Sequence, residues 1–209
     1  MNRRDFAKRI PFLAAMPLAL GASKSKTPST KRHLIALGSV ASNLVVENRN
    51  LLRFDSFTLV SDHSPDLQVK TEFISYVPPD QAYFFLNMRK FLKKEPYPLI
   101  DLPEELSEVI RSKEGEVLII AALGKYTGTV LSNSIAKAFA GSSHLSFVVT
   151  IPFSFEGSFV RNEALNAAIK ITSLHPIHFF DFEDIREKHG NISVRSAFEK
   201  GDEELIRLL

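Results

Sequence analysis

The chain has no cysteine, which excludes disulfides, thiolate nucleophiles and cysteine-ligated metals. It has no Gly-x-Ser-x-Gly elbow, no His-Glu-x-x-His zinc motif and no Gly-x-x-x-x-Gly-Lys-Ser/Thr loop. The last pattern fails twice, because Gly124-Lys125 is followed by Tyr126 and position 119 is Ile. No apolar run reaches the roughly 20 residues of a membrane-spanning helix. A surplus of one charge is missing as well. The formal net charge is +2, but residues 1–22 hold Arg3, Arg4, Lys8 and Arg9 against Asp5. The remainder carries 22 basic and 23 acidic residues, so no basic domain points to nucleic acid. The stretch Arg89–Lys94 reads as an exposed helix end, where cations are favoured. The six histidines make no metal site: His175 and His178 flank a strand and would point to opposite faces.

What is present is enough for one domain: 209 residues, 44 % of them apolar. Residues 1–22 read as a targeting segment. Asn2-Arg3-Arg4-Asp5-Phe6-Ala7-Lys8 resembles the twin-arginine export motif, followed by a short apolar run over 10–20 and small residues at 21–23. On that reading the chain is exported or periplasmic; if the segment is only a basic amphipathic tail, it is cytoplasmic. Residues 23–32 are polar, without periodicity, and read as a linker.

From residue 33 to 209, strands and helices alternate. Segments rich in apolar residues at 33–37, 56–61, 117–122, 145–151 and 176–180 predict strands, with 71–77 a possible further one. Helical stretches are expected from the turn after Gly38 to about Leu52, from Asp80 to about Lys93, and from Pro103 onward. Others are expected over 129–140, 160–172, 183–188 and 194–209. Such alternation implies an α/β domain with a parallel sheet covered on both faces. Ligands of such sheets bind beyond the carboxyl ends of the strands.

Two motifs sit at such ends. Gly124-Lys125-Tyr126-Thr127-Gly128-Thr129 joins a strand to a helix, where N–H groups and a positive helix end suit a phosphate. Pro152-Phe153-Ser154-Phe155-Glu156-Gly157 ends the next strand and carries a carboxylate toward a sugar hydroxyl. Together they point to a nucleotide-binding domain.

The order strand, Gly-turn-Asn, helix, then Gly-x-x-Thr-Gly-Thr, helix, strand, Pro-Phe-Ser-Phe-Glu-Gly resembles the tubulin/FtsZ GTPase domain. The resemblance covers about residues 33–209 and implies a three-layer, Rossmann-like nucleotide-binding fold. It implies GTP or GDP, with magnesium, as the ligand. Gly38 and Asn43 match the first loop of the family, and Gly124, Thr127, Gly128 and Thr129 match its phosphate loop. Lys125, Tyr126 and Val130 stand where that loop has glycine, and Lys125 adds a positive charge. A Cβ at a position needing positive φ costs about 1–2 kcal/mol, so the replacements are expected to weaken phosphate binding.

By the same resemblance, Glu156 matches the ribose acid, Phe198 the aromatic that lies on guanine, and Asp202 the group that reads the base edge. Each has a plainer reading: a loop acid, a packed aromatic and a solvated helix face. The family's nearby arginine falls on Val160, with Arg161 one residue later. No catalytic residue is assigned. The acidic loop that completes hydrolysis and the second domain follow this helix in the family, and they are not expected within 33–209.

The reading is thus a degenerate domain of this kind, a binding or scaffold protein with weak or lost GTP binding and no autonomous hydrolysis. The alternative is a polymerising GTPase of the cell-division type. Leu205, Ile206, Leu208 and Leu209 either dock back on their own domain or present a surface for self-association or an FtsZ-like partner.

Overall fold

Short runs of Val, Ile, Leu and Phe become the strands β1 (Arg32–Leu37), β2 (Ser56–Ser61), β3 (Glu72–Ser75), β4 (Glu116–Ala122), β5 (Leu145–Ile151) and β6 (Ile177–Asp181). In this computed structural model, residues 30–64, 71–78 and 97–209 are described. The targeting segment, nearly all of the linker and the helix expected from Asp80 to Lys93 lie outside the described residues.

Every strand pair is parallel, in the order β3-β2-β1-β4-β5-β6. Parallel strands need crossovers. Helices supply four of these: α1 (Ser39–Glu47), α2 (Glu104–Ser112), α3 (Tyr126–Ala138) and α4 (Ser158–Thr172). After β6 come α5 (Phe182–His189) and α6 (Val194–Leu208). The α/β fold read from the sequence is the one observed.

Strand alternation sorts the core into two layers. Leu34, Ala36, Phe57, Leu59, Ile120 and Val148 form one cluster with Leu44 and Val45 of α1 and Leu205 of α6. The alternate positions Ile35, Ile119, Phe147 and Val149 are equally buried. Among the described residues, no helix is long and apolar enough to cross a membrane.

Two sequence-based expectations are adjusted. Leu205 is 1 % exposed, and Ile206, Leu208 and Leu209 pack against the same cluster. The closing helix therefore docks on its own sheet, and its leucines are not a free apolar patch. The helix expected from 129 begins at Tyr126, because Gly124 alone makes the turn at φ 89 and Lys125 is already an extended N-cap at φ −90.

The chain reverses its direction of travel across the sheet between β1 and β4. From β1 it proceeds to β2 and β3 on one side, and from β4 to β5 and β6 on the other. Leu37 and Ala121 pair in register, so both strands end level. This switch point leaves a crevice above two adjacent carboxyl ends.

Candidate functional site

Gly38 and Gly124 turn the chain out of β1 and β4 into α1 and α3. Gly38 has φ 86, and its N–H is bonded to the Val60 carbonyl at 2.7 Å. At Gly124 a Cβ would lie 2.7 Å from the Val160 carbonyl oxygen. At Gly128 it would collide with the Ala122 carbonyl. At these three glycines the backbone itself leaves no room, or no conformation, for a side chain.

The loop's non-glycine positions, Lys125, Tyr126 and Val130, differ. Lys125 has negative φ, so its Cβ brings no left-handed strain. Tyr126 is buried with its ring 5.4 Å from that of Tyr97, and Val130 is fully buried inside α3. The strain expected from side chains here is absent, because Lys125 is an extended N-cap and Tyr126 and Val130 lie within α3. Thr129 turns inward and accepts the Gly124 N–H at 2.8 Å. Gly124 and Thr129 thus shape the loop and do not line the crevice.

The crevice divides into two adjoining cavities. The smaller, 280 Å³, lies between the starts of α1 and α3 and is bordered by Gly38, Ser39, Asp62, Lys125, Thr127 and Gly128. The first-turn N–H groups of a helix have no intrahelical acceptor, and the positive ends of both dipoles meet here. Among the described residues, Asp62 is the one carboxylate bordering it. Burial works to raise its pKa, but the hydrogen bond and charge of His63 hold it below the ordinary carboxylate value.

The larger cavity, 410 Å³, is bordered by Asn43, Glu47, Lys125, Glu156, Phe198 and Asp202, together with Phe182 and the end of β5. Both volumes are near the lower end of small-molecule sites, about 300–1,000 Å³. Val40, Ala122 and Lys125 border both cavities.

The Pro152–Gly157 segment is pinned from below. Glu183 accepts the Ser154 N–H at 2.8 Å. Burial would raise its pKa, but that bond, Arg186 and Arg161 outweigh it and keep the carboxyl below the ordinary value. Glu156 Oε1 accepts the Phe153 N–H at 3.1 Å, while Oε2 meets the Lys125 ammonium at 3.2 Å. Arg161 does not reach the cavity lining; it is engaged by Asp181 and the Pro152 carbonyl.

At the α6 wall, Phe198 and Asp202 lie one turn apart, and both border the larger cavity. The Phe198 ring stands edge-on to Phe153 at 5.0 Å and tilted on Phe182 at 5.7 Å, yet 37 % of the residue is exposed. It is packed on one side and open on the other. Phe182 can pass this close because Gly201 has no side chain; a Cβ there would meet its ring. Burial, then the neighbouring Glu47 charge, push the Asp202 carboxyl up to about 6.

Of the ten residues singled out in the sequence, Gly38, Asn43, Lys125, Thr127, Gly128, Glu156, Phe198 and Asp202 therefore border one divided crevice. Sequence reasoning missed Glu47, Asp62 and Phe182. Glu47 had a signal, since it follows Asn43 by one helical turn. Asp62, just past β2, had none beyond its place at a strand end.

No protein-family model matches the chain, and no curated protein sequence does. Solved structures match it. FtsZ of M. jannaschii, as a point mutant, superposes with a TM-score of 0.65 at 18 % identity, over 86 % of this chain and 55 % of that one. CetZ2 of Haloferax volcanii, a GTPγS-bound protofilament, gives 0.57 at 16 % identity over 85 % and 56 %. GDP-bound CetZ1 of the same organism gives 0.56 at 18 % over 85 % and 58 %. The chain spans little more than half the length of these proteins. Its fold is the tubulin/FtsZ fold.

Proposed function

We propose that this chain is a tubulin/FtsZ-fold binding module that takes a guanine nucleotide weakly, in a crevice whose phosphate loop has been rebuilt. The observation that carries this reading is the adjacency of two chemically distinct cavities at the sheet's switch point. One has a half-open aromatic ring beside a carboxylate, which suits a purine edge carrying N–H donors. The other gathers two helix starts and a lysine, which suits phosphate oxygens. Glu156 stands where a ribose joining them would pass. A magnesium ion arriving with the phosphates would meet Asp62. The GTPγS and GDP bound in the two CetZ structures are in keeping with this ligand class.

Binding, not turnover, is the assigned role. The groups bordering the smaller cavity suit the holding of phosphate oxygens, and its carboxylate, Asp62, is engaged by His63. The polymerising GTPase remains the second reading, favoured by the protofilament form of CetZ2. Export through residues 1–22 is proposed alongside. Arg3→Lys with Arg4→Lys should hold the chain in the cytoplasm on fractionation.

Calorimetry of the full chain with GTP, GDP and ATP, with and without magnesium, tests the nucleotide site. GTP and GDP should bind in the range of about 10–1,000 µM, with ATP weaker. Absence of heat with either guanine nucleotide at high protein concentration would overturn the reading. Sustained phosphate release, with light scattering that rises on GTP addition, would shift it to the GTPase.

A further inference from the structure

The nucleotide reading leaves one pairing unexplained: the lysine suited to phosphate is already held by the acid suited to ribose. Lys125 Nζ lies 3.2 Å from Glu156 Oε2. Lys125 borders both cavities; Val40 and Ala122, which also do, carry no charge. The ion pair thus stands at the junction a nucleotide would cross.

Resting on that reading, we infer that Lys125 is a partner-exchanging clamp that makes the site select phosphorylated ligands over nucleosides. With the crevice free, the ammonium is held by Glu156. When a nucleotide enters, a phosphate oxygen takes the ammonium, and Glu156 is released to accept the ribose hydroxyls.

The two partners are built unequally for such an exchange. The Lys125 side chain is 55 % exposed and sits on a flexible four-carbon stem. The Glu156 side chain is 18 % exposed and is fixed through its other oxygen to the Phe153 N–H. The lysine is therefore the member free to move. The exchange conserves contacts: Lys–carboxylate becomes Lys–phosphate, and the carboxylate trades one cation for hydroxyl donors. A phosphate carries more charge than a carboxylate and also meets the two helix starts, which draws the exchange forward. A nucleoside has nothing to offer the lysine and must compete with it for Glu156.

Titration of the full chain with GTP and with guanosine, in wild type, Lys125→Met, Lys125→Arg and Glu156→Gln, separates the possibilities. Wild type should prefer GTP over guanosine by tenfold or more. Lys125→Met should weaken GTP about tenfold while tightening guanosine a fewfold, because Glu156 is freed. A merely structural lysine would not produce that tightening. Lys125→Arg should keep most of the GTP preference, and Glu156→Gln should weaken GTP a fewfold, because the ribose loses its charged acceptor. A Lys125→Met variant that is folded by circular dichroism but keeps the wild-type GTP-to-guanosine ratio overturns the clamp. A wild type that binds neither ligand overturns the nucleotide site itself.

Discussion

Arg161 and Asp181 meet in a forked ion pair, Nη1–Oδ1 at 3.0 Å and Nη2–Oδ2 at 2.6 Å. The arginine comes from the first turn of α4 and the aspartate from the end of β6. The same guanidinium donates to the Pro152 carbonyl, so it ties the end of β5 to its neighbour directly beneath the larger cavity. Asp181 also caps α5 by accepting the Glu183 N–H at 2.9 Å. One side chain thus braces the wall that carries Glu156. Arg161→Met should lower stability by about 2–3 kcal/mol, since a partly buried carboxylate and a carbonyl lose their donors. Urea denaturation checks this, and a loss under 0.5 kcal/mol would show the fork to be dispensable.

The two loop glycines should behave unlike the lysine between them. Gly128→Ala meets the Ala122 carbonyl, and Gly124→Ala combines a left-handed φ with the Val160 carbonyl. Each should cost roughly 1–3 kcal/mol. Lys125→Gly, at an ordinary φ, should cost less than about 1 kcal/mol. Comparing the three midpoints under one set of conditions decides the ordering.

Phe198→Ala distinguishes packing from stacking. The ring is 37 % exposed, so truncation should cost only about 1–2 kcal/mol of stability, below the usual 3–5 for a core phenylalanine. Guanine-nucleotide affinity should fall about tenfold if the open face stacks a base. A stability loss with unchanged affinity would confine Phe198 to the aromatic cluster.

Asp202 gives a pH dependence with a definite sign. Its carboxyl ionises near 6 in the folded chain against an ordinary 3.8. Between those values the folded state keeps a proton that the unfolded state has lost, so stability declines as pH rises through that window. Asp202→Asn should therefore be the more stable protein at pH 7.5. The gain is on the order of 1 kcal/mol once solvent screening of a partly buried group is allowed for. The advantage should vanish near pH 3.5. Binding should move the other way: GTP affinity falls below about pH 6 in wild type, as the acceptor for the guanine N–H groups is protonated. Melting curves and titrations at both pH values test the two signs together.

Leu205→Asp places a carboxylate among Leu34, Phe57 and Leu59. It should cost about 4 kcal/mol or more and leave little folded protein at 37 °C. A folded, soluble variant would mean that the helix face is a surface after all.

Much of this protein is legible in its sequence. Short segments dominated by apolar residues, such as the uninterrupted Val117–Ala122, alternating with helical periods imply a covered parallel sheet, because strands buried on both faces carry few polar residues. The loop motifs at 124–129 and 152–157 likewise placed candidate chemistry at strand ends. Phe198 and Asp202 could be matched by spacing within one helix. Tertiary structure decided the rest. Whether a Cβ is strained depends on φ, which the string of residues 125, 126 and 130 does not state. Whether Leu205 is buried depends on which sheet face α6 reaches. That Lys125 and Glu156 form an ion pair, and that burial and then the charge of Glu47 raise the pKa of Asp202, follow from strand order, which brings together residues 31 and 155 positions apart. Local pattern is set by neighbours in the chain, whereas charge and strain at this crevice are set by neighbours in space.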